Sequence, residues 1–216
     1  MFKHETQVIK FLLQWYSVNA RNLPWRKKNT LNLPDPYFVF VSEYMLQQTT
    51  VNTVKNKFND FILKWPSLNK LAQTSEPNIL KFWSGLGYYS RARNLLRSAK
   101  IIHKNFKNNI PKTYDELIQL PGIGDYTAKA ILGIGFNQSV MPLDANIERI
   151  LVRLYAIDKP INKVKNKLKD LGKKFISDKY SSNLIQSFMD YGSEICLPRN
   201  PKCNICGINK FCQSYK

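Results

Sequence analysis

The segment Leu120-Pro121-Gly122-Ile123-Gly124 constrains the fold of this chain more than any other stretch. Apolar residues at helical spacing lie on both sides of it, so it predicts a tight turn between two helices. Gly122 and Gly124 can adopt backbone angles that are closed to other residues, and they leave no side chain in the way. Backbone N–H groups that point outward at a helix start suit a phosphate. The segment therefore predicts either a phosphate-binding hairpin or a plain helical turn.

The rest of the chain has helical rather than strand periodicity. The apolar run from Tyr37 to Met45 could be a strand, but the helical pattern after it favours a helix that begins near residues 37–40. Thr113 is expected to cap a helix with an acidic first turn. Further helical patterns occupy residues 5–18, 90–106, 147–154, 164–175 and 184–192. We predict an all-α fold.

The net charge of +18 predicts a polyanionic partner. An excess of lysine can reflect genome composition, so the arginine positions are more informative. Arg91, Arg93 and Arg97 cluster, and Arg149 and Arg153 are four residues apart. Such clusters suit phosphate contacts, with a solvated helix face as the alternative. No apolar run is long enough for a membrane span, and the first residues lack the apolar core of a signal peptide. We therefore expect no membrane partner and a cytoplasmic, nucleoid-associated location.

The four cysteines follow the pattern Cys196-x6-Cys203-x2-Cys206-x5-Cys212. Thiolates this close in sequence can bind one centre. Zinc ribbons commonly use two Cys-x2-Cys pairs and only one occurs here, so the spacing favours a 4Fe-4S cluster, with zinc as the alternative. The loop between the first two cysteines carries Arg199 and Lys202, which are candidates for phosphate contacts. A loop that only covers the cluster is the other possibility.

Together these motifs resemble the endonuclease III superfamily of DNA glycosylases. The hairpin, the aspartate twenty residues after it and the cysteine spacing carry this likeness. The segments Leu23–Arg26, Ser42–Thr49 and Gly85–Asn94 look like the adenine DNA glycosylase (MutY) family. The resemblance implies a two-lobe helix-hairpin-helix DNA glycosylase fold. Residues 29–140 would form a six-helix barrel, and residues 1–28 and 141–216 an iron–sulfur cluster lobe.

The resemblance also implies catalytic roles for four residues. Glu43 would protonate the leaving adenine and Asp144 would stabilise the sugar cation, which matches the two-carboxylate logic of glycoside hydrolysis. The apolar residues around Glu43 would favour its protonated form. Tyr126 and Asn146 would hold the site in geometry. The alternatives are a solvated Glu43 and an Asp144 that only caps the next helix.

The residue at position 126 separates two kinds of enzyme in this superfamily. Members that also nick the strand carry a lysine there, whose amine forms a Schiff base with the sugar. The phenol of Tyr126 cannot do so, and we expect Lys129 to face elsewhere. The chain should therefore remove a base and leave an abasic site.

The expected partner is double-stranded DNA with mismatched or damaged base pairs, bound by a monomer. Gln47, Gln48 and Tyr88 would enter the duplex where the flipped base leaves the stack, and Tyr89 would pack in the core. The other DNA-contact candidates are Arg91, Arg93, Gly122, Gly124, Arg149, Arg199 and Lys202.

The predicted function is the removal of adenine mispaired with 8-oxoguanine or guanine. The sequence ends four residues after Cys212, so we expect the family's C-terminal 8-oxoguanine-recognition domain to be absent. Two alternatives stay open: a glycosylase for thymine or uracil mismatched with guanine, and a non-catalytic DNA-binding iron–sulfur protein.

Overall fold

The computed structural model describes residues 3–215, without the side chain of Lys3. This part of the chain is helical apart from its turns and one isolated β-bridge between Lys28 and Pro34, which confirms the predicted all-α fold. A π-helical turn occupies Ile131–Gly135. None of the described helices is both long and apolar enough to cross a bilayer. The α-helices are α1 (Lys3–Asn19), α2 (Pro36–Leu46), α3 (Val51–Lys64), α4 (Leu68–Ala72), α5 (Glu76–Trp83), α6 (Ser90–Phe106), α7 (Tyr114–Ile118), α8 (Asp125–Ala130), α9 (Ala145–Leu154), α10 (Lys165–Lys173) and α11 (Ser181–Glu194).

The chain divides into two compact units. The first unit runs from Asn22 to Phe136 and contains α2 to α8. The second unit combines the chain up to Arg21 with the chain from Asn137 onwards, so α1 belongs with α9, α10 and α11. The lobe boundaries predicted from the sequence, at residues 29 and 140, lie several residues from these positions.

Helix α2 is the buried centre of the first unit. Asp35 caps it by accepting a hydrogen bond from the backbone N–H of Tyr37 at 2.8 Å, and Pro36 occupies its first position. The helix packs against α3, α6, α8 and the π-helical turn. Side chains on every side of it are buried, including Val39, Phe40 and Tyr44. This all-round burial explains why its sequence lacks a polar helical face and resembles a strand.

The helix predicted to begin near residues 37–40 is two helices, because the chain bends between Leu46 and Val51. Gln48 has a left-handed backbone conformation with a φ of 55°. Helix α3 then restarts, with the Thr50 side chain accepting from the backbone N–H of Thr53 at 3.3 Å. All four residues of the bend are polar, but nothing in this local pattern marks it as a break.

Arg91, on α6, holds this bend in place. Its side chain is buried, and the residue is only 6% exposed. One guanidinium nitrogen donates to carbonyl oxygens at the end of α2, and the other to the turn that precedes α6 and to a threonine hydroxyl. The acceptors are the carbonyls of Tyr44, Met45, Gln47, Leu86 and Gly87 and the Oγ1 of Thr49. Burial lowers the pKa of the guanidinium. The prediction that Arg91 contacts DNA is therefore wrong, because its donors point into the protein.

The second unit packs around α11. Helices α1 and α9 both lie against α11. Leu184, Ile185, Phe188 and Tyr191 are buried along α11. Asp190 is fully buried in the same helix and accepts from the side chain and the backbone N–H of Arg21, which follows α1. This ion pair ties the end of α1 to the C-terminal part of the chain.

We expect Arg91→Lys to lower the free energy of unfolding by about 3 kcal/mol, since one ammonium group cannot satisfy both sets of buried oxygens. Arg97→Lys, at an exposed position of the same helix, is the matched control and should change stability by less than about 0.5 kcal/mol. Urea denaturation of the two variants measures the difference. Equal stabilities would contradict a structural role for Arg91.

Candidate active site and cysteine cavity

Asp144 is the N-cap of α9. Its Oδ1 accepts from the backbone N–H of Ile147 at 2.7 Å, and its Oδ2 accepts from Nδ2 of Asn146 at 2.8 Å. Burial raises the pKa of the Asp144 carboxyl, while these hydrogen bonds and the charge of Arg149 act in the opposite direction. The capping role considered from the sequence is therefore real. It also fixes the orientation of the carboxylate.

Asn146 is held by contacts on both sides. Its Oδ1 accepts from Nη2 of Arg149 at 2.8 Å. A side chain at Gly192 on α11 would place its Cβ only 2.5 Å from the Cβ of Asn146, so the absence of a side chain there lets the two helices approach. The amide that contacts Asp144 is therefore fixed by packing as well as by hydrogen bonds.

Arg149, a predicted DNA contact, is half-buried and already has protein partners. Each of its three side-chain nitrogens donates to a protein oxygen: Nε to the carbonyl of Cys196 at 2.7 Å, Nη1 to that of Ala145 at 3.1 Å, and Nη2 to that of Gly192 at 2.6 Å. With Asn146, it links the first cysteine to Asp144 through an unbroken set of hydrogen bonds. Arg149 thus positions Asn146, and its contact with DNA stays a prediction.

Glu43 and Tyr126 lie in the first unit, on α2 and α8. Glu43 is buried, at 6% exposed, which contradicts the alternative of a solvated carboxylate. Tyr126 is half-buried. Lys129, one turn after it, forms an ion pair with Asp125 at 2.8 Å. The roles of Glu43 and Tyr126 in catalysis stay predictions.

The hairpin between α7 and α8 is fixed by side chains of α2 and α6. Tyr44 and Ser98 both donate to the carbonyl of Pro121, and Nε2 of Gln47 donates to that of Gly122 at 3.1 Å. Burial raises the pKa of the Tyr44 phenol, so it stays a donor. The contacts from Tyr44 and Ser98 had no signal in the sequence, because their partners are distant along the chain.

Only one of the two hairpin glycines uses glycine's conformational freedom. Gly122 has a φ of 81°, and a Cβ there would lie 3.0 Å from the side chain of Asn94. Gly124 has a φ of −105°, and a Cβ there would meet nothing within 4 Å. Gly124 therefore has an extended conformation that other residues also adopt. Both glycines are exposed, which suits their predicted contact with DNA, still untested.

Four of the other predicted DNA contacts are exposed. Tyr88 is 62% exposed and has a φ of 46°, and Gln48, Arg199 and Lys202 are exposed as well. Tyr89 is 42% exposed, so the expectation that it packs in the core is wrong.

Two of the predicted contacts already have protein partners. Arg93 forms an ion pair with Glu76 at 2.9 Å, and Gln47 is half-buried, with its amide bonded to the hairpin. Their contact with DNA stays a prediction.

The four cysteines line one cavity in the second unit, with a volume of about 40 Å³. Tyr191 donates to Sγ of Cys206 at 3.2 Å, and Nη1 of Arg153 donates to Sγ of Cys196 at 3.3 Å. Burial raises the pKa of the Cys206 and Cys212 thiols. Within residues 3–215, no three or more His, Cys, Asp or Glu side chains are arranged to hold a single metal ion. The structure thus gathers the predicted ligands around one cavity without identifying what they bind.

We expect Asp144→Asn to keep the start of α9, because asparagine caps helices as well as aspartate does. Asp144→Ala should lower the free energy of unfolding by about 1 kcal/mol through loss of the cap. Chemical denaturation of both variants tests this. If the asparagine variant were as unstable as the alanine variant, a negative charge rather than a cap would be what the fold requires here.

Comparison with known proteins agrees with the resemblance seen in the sequence. Residues 41–174 match the model of the HhH-GPD superfamily base excision DNA repair proteins. The chain is 44% identical over 207 residues to the adenine DNA glycosylase of Buchnera aphidicola subsp. Baizongia pistaciae, covering 94% of this chain and 57% of that protein. It is 39% identical over 211 residues to the adenine DNA glycosylase of Rattus norvegicus, covering 95% of this chain and 41% of that protein. The chain thus spans less than two thirds of the length of these curated relatives.

Two solved structures have the same fold. A thermostable thymine-DNA glycosylase matches with a TM-score of 0.88 and 26% identity, over 99% of this chain and 97% of that chain. A non-covalent endonuclease III–DNA complex matches with a TM-score of 0.77 and 18% identity, over 100% of this chain and 97% of that chain. The second likeness concerns the fold alone. From its helical architecture and its family match, the chain belongs to the HhH-GPD superfamily of base excision DNA repair proteins.

Proposed function

We propose that this chain is an adenine DNA glycosylase that hydrolyses the N-glycosidic bond of adenine mispaired with 8-oxoguanine or guanine. The observation that carries this proposal is its 41–44% identity to curated adenine DNA glycosylases of Buchnera aphidicola over 94–96% of this chain. The matched region includes Glu43 and Asp144. Double-stranded DNA is the proposed partner.

In the proposed reaction Glu43 donates a proton to N7 of adenine. The bond between C1′ of the sugar and N9 of the base breaks, and its electron pair leaves with the neutral adenine. The Asp144 carboxylate stabilises the resulting oxocarbenium-like cation. Water then adds to C1′ and loses a proton, which gives the abasic site. The burial of Glu43 and the oriented carboxylate of Asp144 support this division of roles.

We further propose that the enzyme does not nick the strand. A Schiff base with the sugar needs an amine, which the Tyr126 phenol lacks. The nearby Lys129 ammonium is paired with Asp125 on the same helix. The reaction would therefore end at the abasic site.

Contacts to DNA would come from the hairpin and from the exposed side chains named above. The exposed glycines at Gly122 and Gly124 let the backbone approach a phosphate closely. Tyr88 presents an exposed ring that can stack where a base has left. Arg93, Arg199 and Lys202 would contact phosphates.

A 4Fe-4S cluster is the proposed cofactor, held by Cys196, Cys203, Cys206 and Cys212. Four thiols that line one cavity provide the ligand set that such a cluster takes. Arg153 and Tyr191 already donate hydrogen bonds to two of the sulfurs, which would stabilise them as thiolates. The cluster would fix the loop around it. Arg149 would connect this loop to Asn146 through its hydrogen bonds to the Cys196 carbonyl and to Oδ1 of Asn146.

A thymine or uracil glycosylase is the second candidate. The high structural similarity to a thymine-DNA glycosylase of nearly equal length favours it. Its 26% identity is well below the 41–44% to the adenine enzymes, which is why we rank it second.

Single-turnover assays on duplexes with A:8-oxoguanine, A:G, T:G and U:G pairs test the function. We expect release of adenine from the first two. Glu43→Gln should still bind these duplexes but release adenine at least about 100-fold more slowly, because it has no proton to donate. Release of thymine or uracil without adenine would establish the second candidate. DNA binding with no base release would indicate a non-catalytic protein.

The rate of adenine release should fall as the pH falls, because protonation removes the charge of Asp144. Asn146→Ala removes a hydrogen bond that stabilises the carboxylate, so the pKa of Asp144 should rise further. The acid limb of the pH–rate profile should then move to higher pH. Asn183→Ala, at an exposed position of α11, is the control and should leave the limb unchanged. An unmoved limb in the Asn146 variant would argue against Asp144 as the group that titrates.

Anaerobically purified protein should contain about four iron and four sulfide ions per chain. Cys203→Ser should lower both, since it removes one ligand. Stoichiometric zinc without iron would overturn the cluster proposal.

A further inference from the structure

Arg153 contacts both the first and the last cysteine of the cysteine cavity. It lies in the last turn of α9, and its Nη1 donates to Sγ of Cys196 at 3.3 Å. Its backbone carbonyl accepts from Sγ of Cys212 at 3.3 Å and from the backbone N–H of Ser214 at 3.1 Å. The end of α9 therefore joins the two ends of the cysteine segment.

The loop after Cys196 fixes the direction of the Arg153 guanidinium. Nη1 also donates to the carbonyl of Leu197 at 2.7 Å, and Nη2 donates to that of Pro198 at 3.1 Å. A guanidinium is planar and rigid, so these bonds fix its plane. The side chain is half-buried. A positive charge and an N–H donor are thus held against one sulfur by contacts within the protein.

The cysteines form a set that suits an iron–sulfur cluster. Burial raises the pKa of the Cys206 and Cys212 thiols, and the nearby Cys196 raises both further. The sulfurs are therefore close enough to repel one another as thiolates. A 4Fe-4S cluster takes four thiolates, which matches this donor set, and every electron that it gains adds negative charge at the sulfurs.

The charge of Arg153 favours the more negative state of such a cluster. Hydrogen bonds to the sulfurs and the net charge of the site are among the factors that set the reduction potential of an iron–sulfur cluster. Tyr191 also donates to a sulfur, that of Cys206 at 3.2 Å, but its hydroxyl is neutral. Charge-assisted hydrogen bonds are roughly twice as strong as neutral ones. Arg153 should therefore have the larger effect.

We propose that Arg153 raises the reduction potential of the cluster through its charged hydrogen bond to Sγ of Cys196. It is a positioning residue that acts on a ligand of the cluster. Because it stabilises the reduced state more than the oxidised state, its removal makes the cluster easier to oxidise. This inference rests on the proposed 4Fe-4S cluster and does not depend on which base the enzyme removes.

Spectroelectrochemical titration of the full chain, purified anaerobically and free of DNA, measures the potential. Arg153→Met removes the charge and the donors. At the midpoint potential of the original protein, we expect the ratio of oxidised to reduced cluster to rise at least about tenfold, which is about 59 mV for a one-electron couple. Arg153→Lys keeps the charge but not the planar fork, so it should give a smaller rise. Tyr191→Phe should also give a smaller rise.

Lys210→Met is the matched control. It removes the same charge from an exposed residue between Cys206 and Cys212, whose Nζ lies 5.0 Å from the ring centroid of Phe211. The ratio should change less than about twofold in this variant. Iron content and thermal unfolding of each variant check that the cluster and the fold are intact. If Arg153→Met does not retain the cluster, the comparison of Arg153→Lys with Lys210→Met carries the test.

The outcomes distinguish this inference from the cluster proposal. Zinc in place of iron in the original protein would overturn both. A protein that holds the cluster but has the same potential in the Arg153 variants would overturn this inference alone, even if those variants lost iron faster, because the role of Arg153 would then be purely structural. An equal change in Lys210→Met would assign the effect to general charge and would overturn it as well. A lower potential specific to the Arg153 variants supports it.

Discussion

The first unit depends on one buried guanidinium. Arg91 donates hydrogen bonds to backbone carbonyls at the end of α2 and to backbone carbonyls of the turn before α6. A buried charge is costly unless its hydrogen bonds are made, so this side chain selects one conformation for both segments at once. The same bend sets the backbone at Gln47 and Gln48, and the same turn sets it at Tyr88. The placement of these three proposed DNA contacts therefore depends on a residue that points inward.

Arginine and lysine contribute differently to the large positive charge. Arg91 and Arg149 direct their donors to main-chain carbonyls, and Arg153 donates to the loop that carries Cys196. A planar fork with several donors suits such sites better than a single ammonium group. In the sequence, the arginine clusters are the more informative sign of phosphate contacts, because an excess of lysine can reflect genome composition. In this fold clustered arginine more often stabilises loops and helix ends, and exposed residues such as Lys202 remain the more direct candidates.

The sequence predicts features that depend on residues close together along the chain. It does not reveal features that depend on contacts between distant residues. Residues within one or two helical turns of each other predict the Thr113 cap, the bounds of α6 and the all-α fold. The structure confirms all three. The bend between α2 and α3 depends on Arg91, more than forty residues away, so no local pattern could show it. Tyr89 was assigned to the core by its residue type, although its place in a turn leaves it exposed. The cysteine spacing predicted a shared site, but the hydrogen bonds from Tyr191 and Arg153 to the sulfurs come from helices that pack only in the folded chain.

Asp144 can act both as a helix cap and as a catalytic carboxylate, because the hydrogen bonds of the cap fix the orientation that the second role requires. A carboxylate that stabilises a cation must be held in one orientation and must stay ionised. The cap fixes the orientation. The N–H of Ile147 and the positive end of α9 also favour the charged form, which opposes the burial that raises the pKa of Asp144. Asn146 adds a donor, and its own position depends on Arg149 and on the absence of a side chain at Gly192. These contacts exceed what a helix N-cap requires, and they support the catalytic role proposed for Asp144.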